Sequence, residues 1–148
     1  DSKAYDLMFQ SVLRNSLKPQ WRYSKMARGY HSDKYKNKFV VACDSSSIVE
    51  SNKDQAFETI DRLLLKNLRS RIYIGGHGSK YFDELYDRYI ERASFRRSRF
   101  DDANQDKLLD AIQMSLCDFL VGSSNSAYYI YAKNFLEPTN IIDLNENV

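Results

Sequence analysis

Three short apolar runs, KFVVAC from Lys38, RIYI from Arg71 and FLV from Phe119, are each followed at once by aspartate, glycine or serine and then by residues at helical spacing. An apolar run without polar alternation suits a strand covered on both faces, the environment of a parallel sheet. After the first run, Phe57, Ile60, Leu64 and Leu68, widened by Leu63 and Leu65, predict a helix within Ser47 to Leu68, so the segment up to Ile74 reads as a β-α-β unit. Gly75, Gly76 and Gly78 then form a turn around His77, Phe82 to Arg92 predicts a second helix, and Ser94 to Asn104 a charged loop. Leu108, Leu109, Ile112 and Leu116 predict a third helix ahead of FLV. A fourth opens near Ser124 and is broken by Pro138, and Asn140 to Leu144 predicts a last short strand. Upstream, Ala4 to Leu17 predicts a helix stopping before Pro19, and the polar, aromatic stretch from Gln20 to Asn37 predicts a helical piece followed by a loop. Strands alternating with helix-long crossovers define an α/β fold, a Rossmann-like parallel sheet with helices on both faces.

At 148 residues, 43% of them hydrophobic, the chain suits one domain with a real core. Its 22 basic and 20 acidic residues nearly cancel, so no overall field argues for nucleic acid or an anionic membrane as partner. Cys43 and Cys117 lie within apolar runs without CxxC spacing and read as buried free thiols, which fits a reducing compartment such as the cytoplasm. No apolar run reaches the length of a membrane span, and no leader pattern opens the sequence. A first residue of Asp1 fits a processed chain, a trimmed one or an internal domain of a longer protein.

In a doubly wound sheet, ligands sit at the carboxyl ends of the strands. Asp44, Ser45 and Ser46 follow the first strand, Gly75 to Ser79 the second and Gly122 to Ser126 the third, so three turns are expected to converge on one crevice. The turn GSSNS before a helix suits an anion, because backbone N–H groups at a helix start lack partners and serine and asparagine add donors. The alternative is that these residues only cap the helix. His77 between glycines reads either as a ligand-facing imidazole or as part of a surface loop. Arg88, Arg92, Arg96, Arg97 and Arg99 read as a solvated face neutralised by nearby Asp83, Glu84, Asp87, Glu91, Asp101 and Asp102 rather than a site for acidic partners or RNA. Tyr128, Tyr129 and Tyr131 are expected to pack, whereas Tyr23, Tyr30 and Tyr35 are freer to touch a glycan. No serine, cysteine and histidine arrangement supports a hydrolase.

The blocks FVVACDSSSIVE and LLDAIQMSLCDFLVGSSNSAYYIYA, separated by the glycine-rich turn, resemble the carboxyl-terminal half of fucosyltransferase-like enzymes. That group includes nodulation-factor and α1,6-fucosyltransferases and protein O-fucosyltransferases, and the likeness runs from Lys38 to Phe135. The resemblance implies a partial glycosyltransferase-B type domain that binds a GDP-sugar donor, with GDP-fucose as the type, for transfer to a glycan or protein hydroxyl. It implies that Asp44 and Ser45 border the guanine or ribose and that Ser124, Asn125 and Ser126 hold the diphosphate. It further implies no metal and no cofactor beyond the donor, and it makes the secretory-pathway lumen the alternative location if the chain belongs to a longer enzyme. The family's His-x-Arg motif, whose arginine neutralises the leaving phosphate, has no counterpart before Lys38, since Arg22, Arg28 and His31 in WRYSKMARGYHSD have a different spacing. The motif is therefore expected upstream of Asp1, or the chain is a noncatalytic interaction or anion-binding domain of the same architecture. Glu58, Asp61 and Asp110 are the carboxylates available as a base.

Overall fold

A computed structural model of the chain describes residues 17–97, 102–133 and 140–145. The helix expected over Ala4 to Leu17 lies, apart from its last residue, outside the described residues, as do Arg99 and Pro138. A five-stranded, wholly parallel sheet runs β3-β2-β1-β4-β5, with β1 Val40–Asp44, β2 Arg71–Gly75, β3 Ala93–Ser94, β4 Phe119–Gly122 and β5 Ile141–Asp143. This is the doubly wound order, with β1 central and paired to β2 and β4. Val41 lies opposite Ile72 on one side and Phe119 on the other, which buries every residue of β1.

The helices are α1 Leu17–Tyr35, α2 Lys53–Leu65, α3 Phe82–Arg88, α4 Ala103–Ser115 and α5 Ala127–Lys133. Val41, Cys43, Ile72, Ile74 and Val121 face α2 and α3, where Phe57, Ile60, Leu64 and Leu85 meet them. Val40, Ala42, Tyr73 and Leu120 face the other way, against Tyr35 of α1, Met114 of α4 and Tyr129 of α5. The even alternation along three neighbouring strands thus feeds two cores, one per face.

Several boundaries differ from the sequence expectation. One helix, α1, continues through Gln20 to Tyr35 where a helical piece and a loop were expected, with Pro19 in its first turn, where its missing N–H costs no bond. It ends as Lys36 and Asn37 turn to φ of 47° and 67°. Its inner stripe is Tyr23, Ala27 and Tyr35, so aromatic residues that read as surface chemistry are core: Tyr23 and Tyr35 are 5% and 1% exposed and are not free to touch a glycan. Strand β3 falls between the helix expected to end at Arg92 and the charged loop expected from Ser94. It is two residues long, too short for periodicity to reveal, and Ser94 is anchored by a hydrogen bond between its hydroxyl and that of Tyr35. Helix α2 starts at Lys53 rather than near Ser47 because Ser45–Ser47 forms a 3-10 turn, after which Asn52 accepts from the Val49 N–H at 2.8 Å.

Candidate functional site

Beyond β1 the chain passes to the face covered by α2, and beyond β4 to the face covered by α5, so the crevice of a doubly wound sheet falls between the tips of β1 and β4. There the turns meet. Asp44, the last residue of β1, is fully buried and accepts from the Ser46 hydroxyl at 2.6 Å, the Ser46 N–H at 3.1 Å, the Ser47 hydroxyl at 3.1 Å and the Ser126 hydroxyl. Ser47 also accepts the Ser123 N–H at 2.9 Å, and the hydroxyls of Ser46 and Ser126 lie 3.0 Å apart. One buried carboxylate thereby ties the turn after β1 to the turn after β4. Burial pushes its pKa above the usual carboxylate range, and the serine hydrogen bonds offset part of that rise.

Ser45 performs the same task toward β2. Its hydroxyl donates to the Gly75 carbonyl at 2.5 Å and lies 2.6 Å from the Ser79 hydroxyl. Gly76 adopts φ +78°, and a Cβ there would come within 2.8 Å of the Ser45 Oγ, so the close approach of these turns requires glycine. Asp110 of α4 closes the other side, accepting the Gly76 N–H at 2.8 Å and the Tyr73 hydroxyl. Burial foremost raises its carboxyl to about 6, against the lowering by these two donors.

The residues singled out from sequence therefore divide. Asp44 and Ser126 are brought together, buried and bonded to each other, Ser45 is buried but turned to Gly75 and Ser79, and Ser124, Asn125 and His77 are exposed at the rim. The N–H groups of Ser123, Asn125 and Ser126 are taken by the Ser47 hydroxyl, the Ser123 hydroxyl and the Ser123 carbonyl, so those three backbone donors are committed within the protein. The His77 ring stacks on Phe95 with centroids 5.4 Å apart and planes inclined by 12°, and meets the Phe82 ring edge-on.

Beside this cluster opens a cleft of about 150 Å³ lined by His77, Arg96, Arg97, Lys107, Asp110 and Tyr128. Arg96 and Arg97 follow β3 and so sit at the strand tips, Arg97 exposed there; Arg88 is on a helix surface as expected, but its partner is Asp61, at 2.7 Å, rather than one of the acids named from sequence. Arg92 is spent on main-chain carbonyls of Leu64, Asn67 and Ser70. Lys107 carried no sequence signal of its own, whereas Asp110, named from sequence among the carboxylates available as a base, interrupts the apolar stripe of Leu108, Leu109, Ala111 and Ile112. Among the described residues no group of three or more His, Cys, Asp or Glu side chains is placed to hold a metal ion, and no helix is long and apolar enough to cross a membrane. Cys43 and Cys117 are both free and buried. Fold and site together define a Rossmann-like α/β domain whose strand tips are joined by a hydroxyl–carboxylate network. Comparison with protein-family models and with curated proteins returns no match.

Proposed function

We propose that the chain is the nucleotide-sugar-binding domain of a glycosyltransferase of the fucosyltransferase-like group, taking a GDP-sugar as donor and a glycan or protein hydroxyl as acceptor. The observation that carries this reading is the hydrogen bond from Ser126 to Asp44, because it joins, at the switch point of the sheet, the two sequence blocks on which the resemblance rests. Asp44, Ser45 and Ser126 then act as positioning residues that hold the rim, and Ser124, Asn125 and His77 are the groups left to meet the donor. Transfer in such an enzyme displaces GDP from the anomeric carbon by an acceptor hydroxyl, and stabilising the departing diphosphate is the main lever on rate.

The test is thermal unfolding with and without GDP. At about 100 times its dissociation constant a ligand adds about 2.7 kcal/mol, which moves the midpoint of a domain this size by roughly 5–10 °C. Ser124 is exposed at the rim, so Ser124→Asp leaves the unliganded midpoint in place while setting a carboxylate beside the bound donor. The shift is expected in the parent chain and smaller in the variant; no shift in the parent sinks the proposal. The committed amides around Ser123 favour a second reading, a noncatalytic α/β interaction domain whose serine cluster is a structural seal, and that reading predicts no nucleotide shift at all.

A further inference from the structure

The serine cluster and the cleft beside it differ in chemistry. The cluster is closed and centred on a carboxylate, an unfavourable neighbour for a phosphate. The cleft is open and lined by cations. Arg96 donates to the Gln113 Oε1 at 3.0 Å and reaches the Met26 carbonyl at 3.5 Å, with its guanidinium 4.7 Å from the centre of the Tyr30 ring. Arg97 is exposed at the mouth, Lys107 is half-buried on the wall formed by α4, and His77 is held on the far side by its stack on Phe95. Two carboxylates, Asp106 and Asp110, share the lining. Both oxygens of Asp110 already accept, from Tyr73 and Gly76. Fixed guanidinium, lysine and imidazole groups around one small opening are the donor set that phosphate oxygens take.

We infer that the cleft between the glycine turn and α4 receives the phosphoryl groups of the ligand, with Arg96, Arg97, Lys107 and His77 as their donors. The inference rests on the nucleotide-sugar reading and moves the anion from the turn at Ser124 to the neighbouring cations. A volume of about 150 Å³ fits one or two phosphoryl groups and falls short of the roughly 300–1,000 Å³ of a pocket that encloses a whole ligand, so the nucleoside lies outside it.

Calorimetric titration of the chain with inorganic pyrophosphate and, separately, with GDP tests this, using the parent, Arg97→Glu, Lys107→Ala and, as a control for net charge, Arg62→Glu on the exposed side of α2. Both ligands are expected to bind the parent and the Arg62 variant alike, and to bind the Arg97 and Lys107 variants about tenfold or more weakly, the loss of one charge-assisted contact. Unfolding midpoints without ligand confirm that each variant folds. Absence of pyrophosphate binding to the parent, equal binding by all four proteins, or an equal loss in the Arg62 variant overturns the inference. If GDP still binds the parent in those cases, the nucleotide-sugar reading survives alone. If pyrophosphate binding depends on Arg97 and Lys107 while GDP binds no tighter than pyrophosphate, the cleft stands and the guanosine reading fails.

Discussion

Replacing Asp110 by asparagine removes a charge while keeping the local bonds, because the amide oxygen can accept from the Gly76 N–H and the amide nitrogen can donate to the Tyr73 oxygen. The consequence is a change in how stability depends on pH. Asp110 moves from an ordinary 3.8 to about 6 on folding, so the folded state binds its proton more tightly than the unfolded chain. That contribution is complete below the unfolded value and disappears as pH rises through the folded one. A shift of this size, at about 1.4 kcal/mol per unit, is worth up to roughly 3 kcal/mol, of which about 2 kcal/mol should be lost between about pH 4 and pH 7 once water in the cleft screens the half-buried group. Asp44 is also shifted upward and tilts the profile in the same direction, whereas Asp61, held low overall by hydrogen bonds from Arg88 and Tyr89 against its desolvation, tilts it the other way. Asp61 cancels in the difference between parent and variant, and the repulsion between Asp110 and Asp44 that the substitution removes adds to that difference in the same direction. Urea unfolding of both proteins across that range therefore isolates Asp110: the parent should lose about 2 kcal/mol more than the Asp110→Asn variant as pH rises. Parallel profiles, or a parent that gains on the variant with rising pH, would refute the assignment of burial as the dominant cause.

Two further perturbations probe the same end of the sheet. Gly76→Ala combines a left-handed backbone, φ +78°, with a Cβ 2.8 Å from the Ser45 Oγ and 2.9 Å from the Ser46 nitrogen, and should lower the urea unfolding free energy by about 2–4 kcal/mol; a loss under about 0.5 kcal/mol would show that the turns can separate freely. Cys43 and Cys117 are buried, with their thiols pushed well above the ordinary range by desolvation, so a thiol-directed reagent should label them only at the rate of unfolding. Rapid labelling in native buffer would contradict the packing around them.

What could be read from the sequence followed from how much of each signal was local. KFVVAC, RIYI and FLV are unbroken apolar runs, and their strands and parallel class are those of the structure. The meeting of Asp44 with Ser126 was also legible, as a topological consequence of placing both at strand tips. Burial at the site was not. Nothing in DSSS indicates that four donors turn inward on Asp44 to satisfy a charge the sheet has enclosed, since a serine that caps, binds or seals is written the same way. The cleft was hidden for a different reason. Arg96 and Arg97 look like members of a charged surface run until β3 pairs with β2 and carries the following residues to the tip of the sheet, a long-range event settled by two residues.

The sheet narrows from five residues in β1 and β2 to three in β5 and two in β3. Its outermost strands consequently offer few unpaired backbone groups for another polypeptide to copy, although the interior is rich in the branched and aromatic residues that favour cross-β stacking. Shortness at the margins, helped by the charge of Asp143 on β5, protects this domain from templated polymerisation. Lengthening β3 by even a few extendable residues would forfeit that protection while leaving the interior untouched.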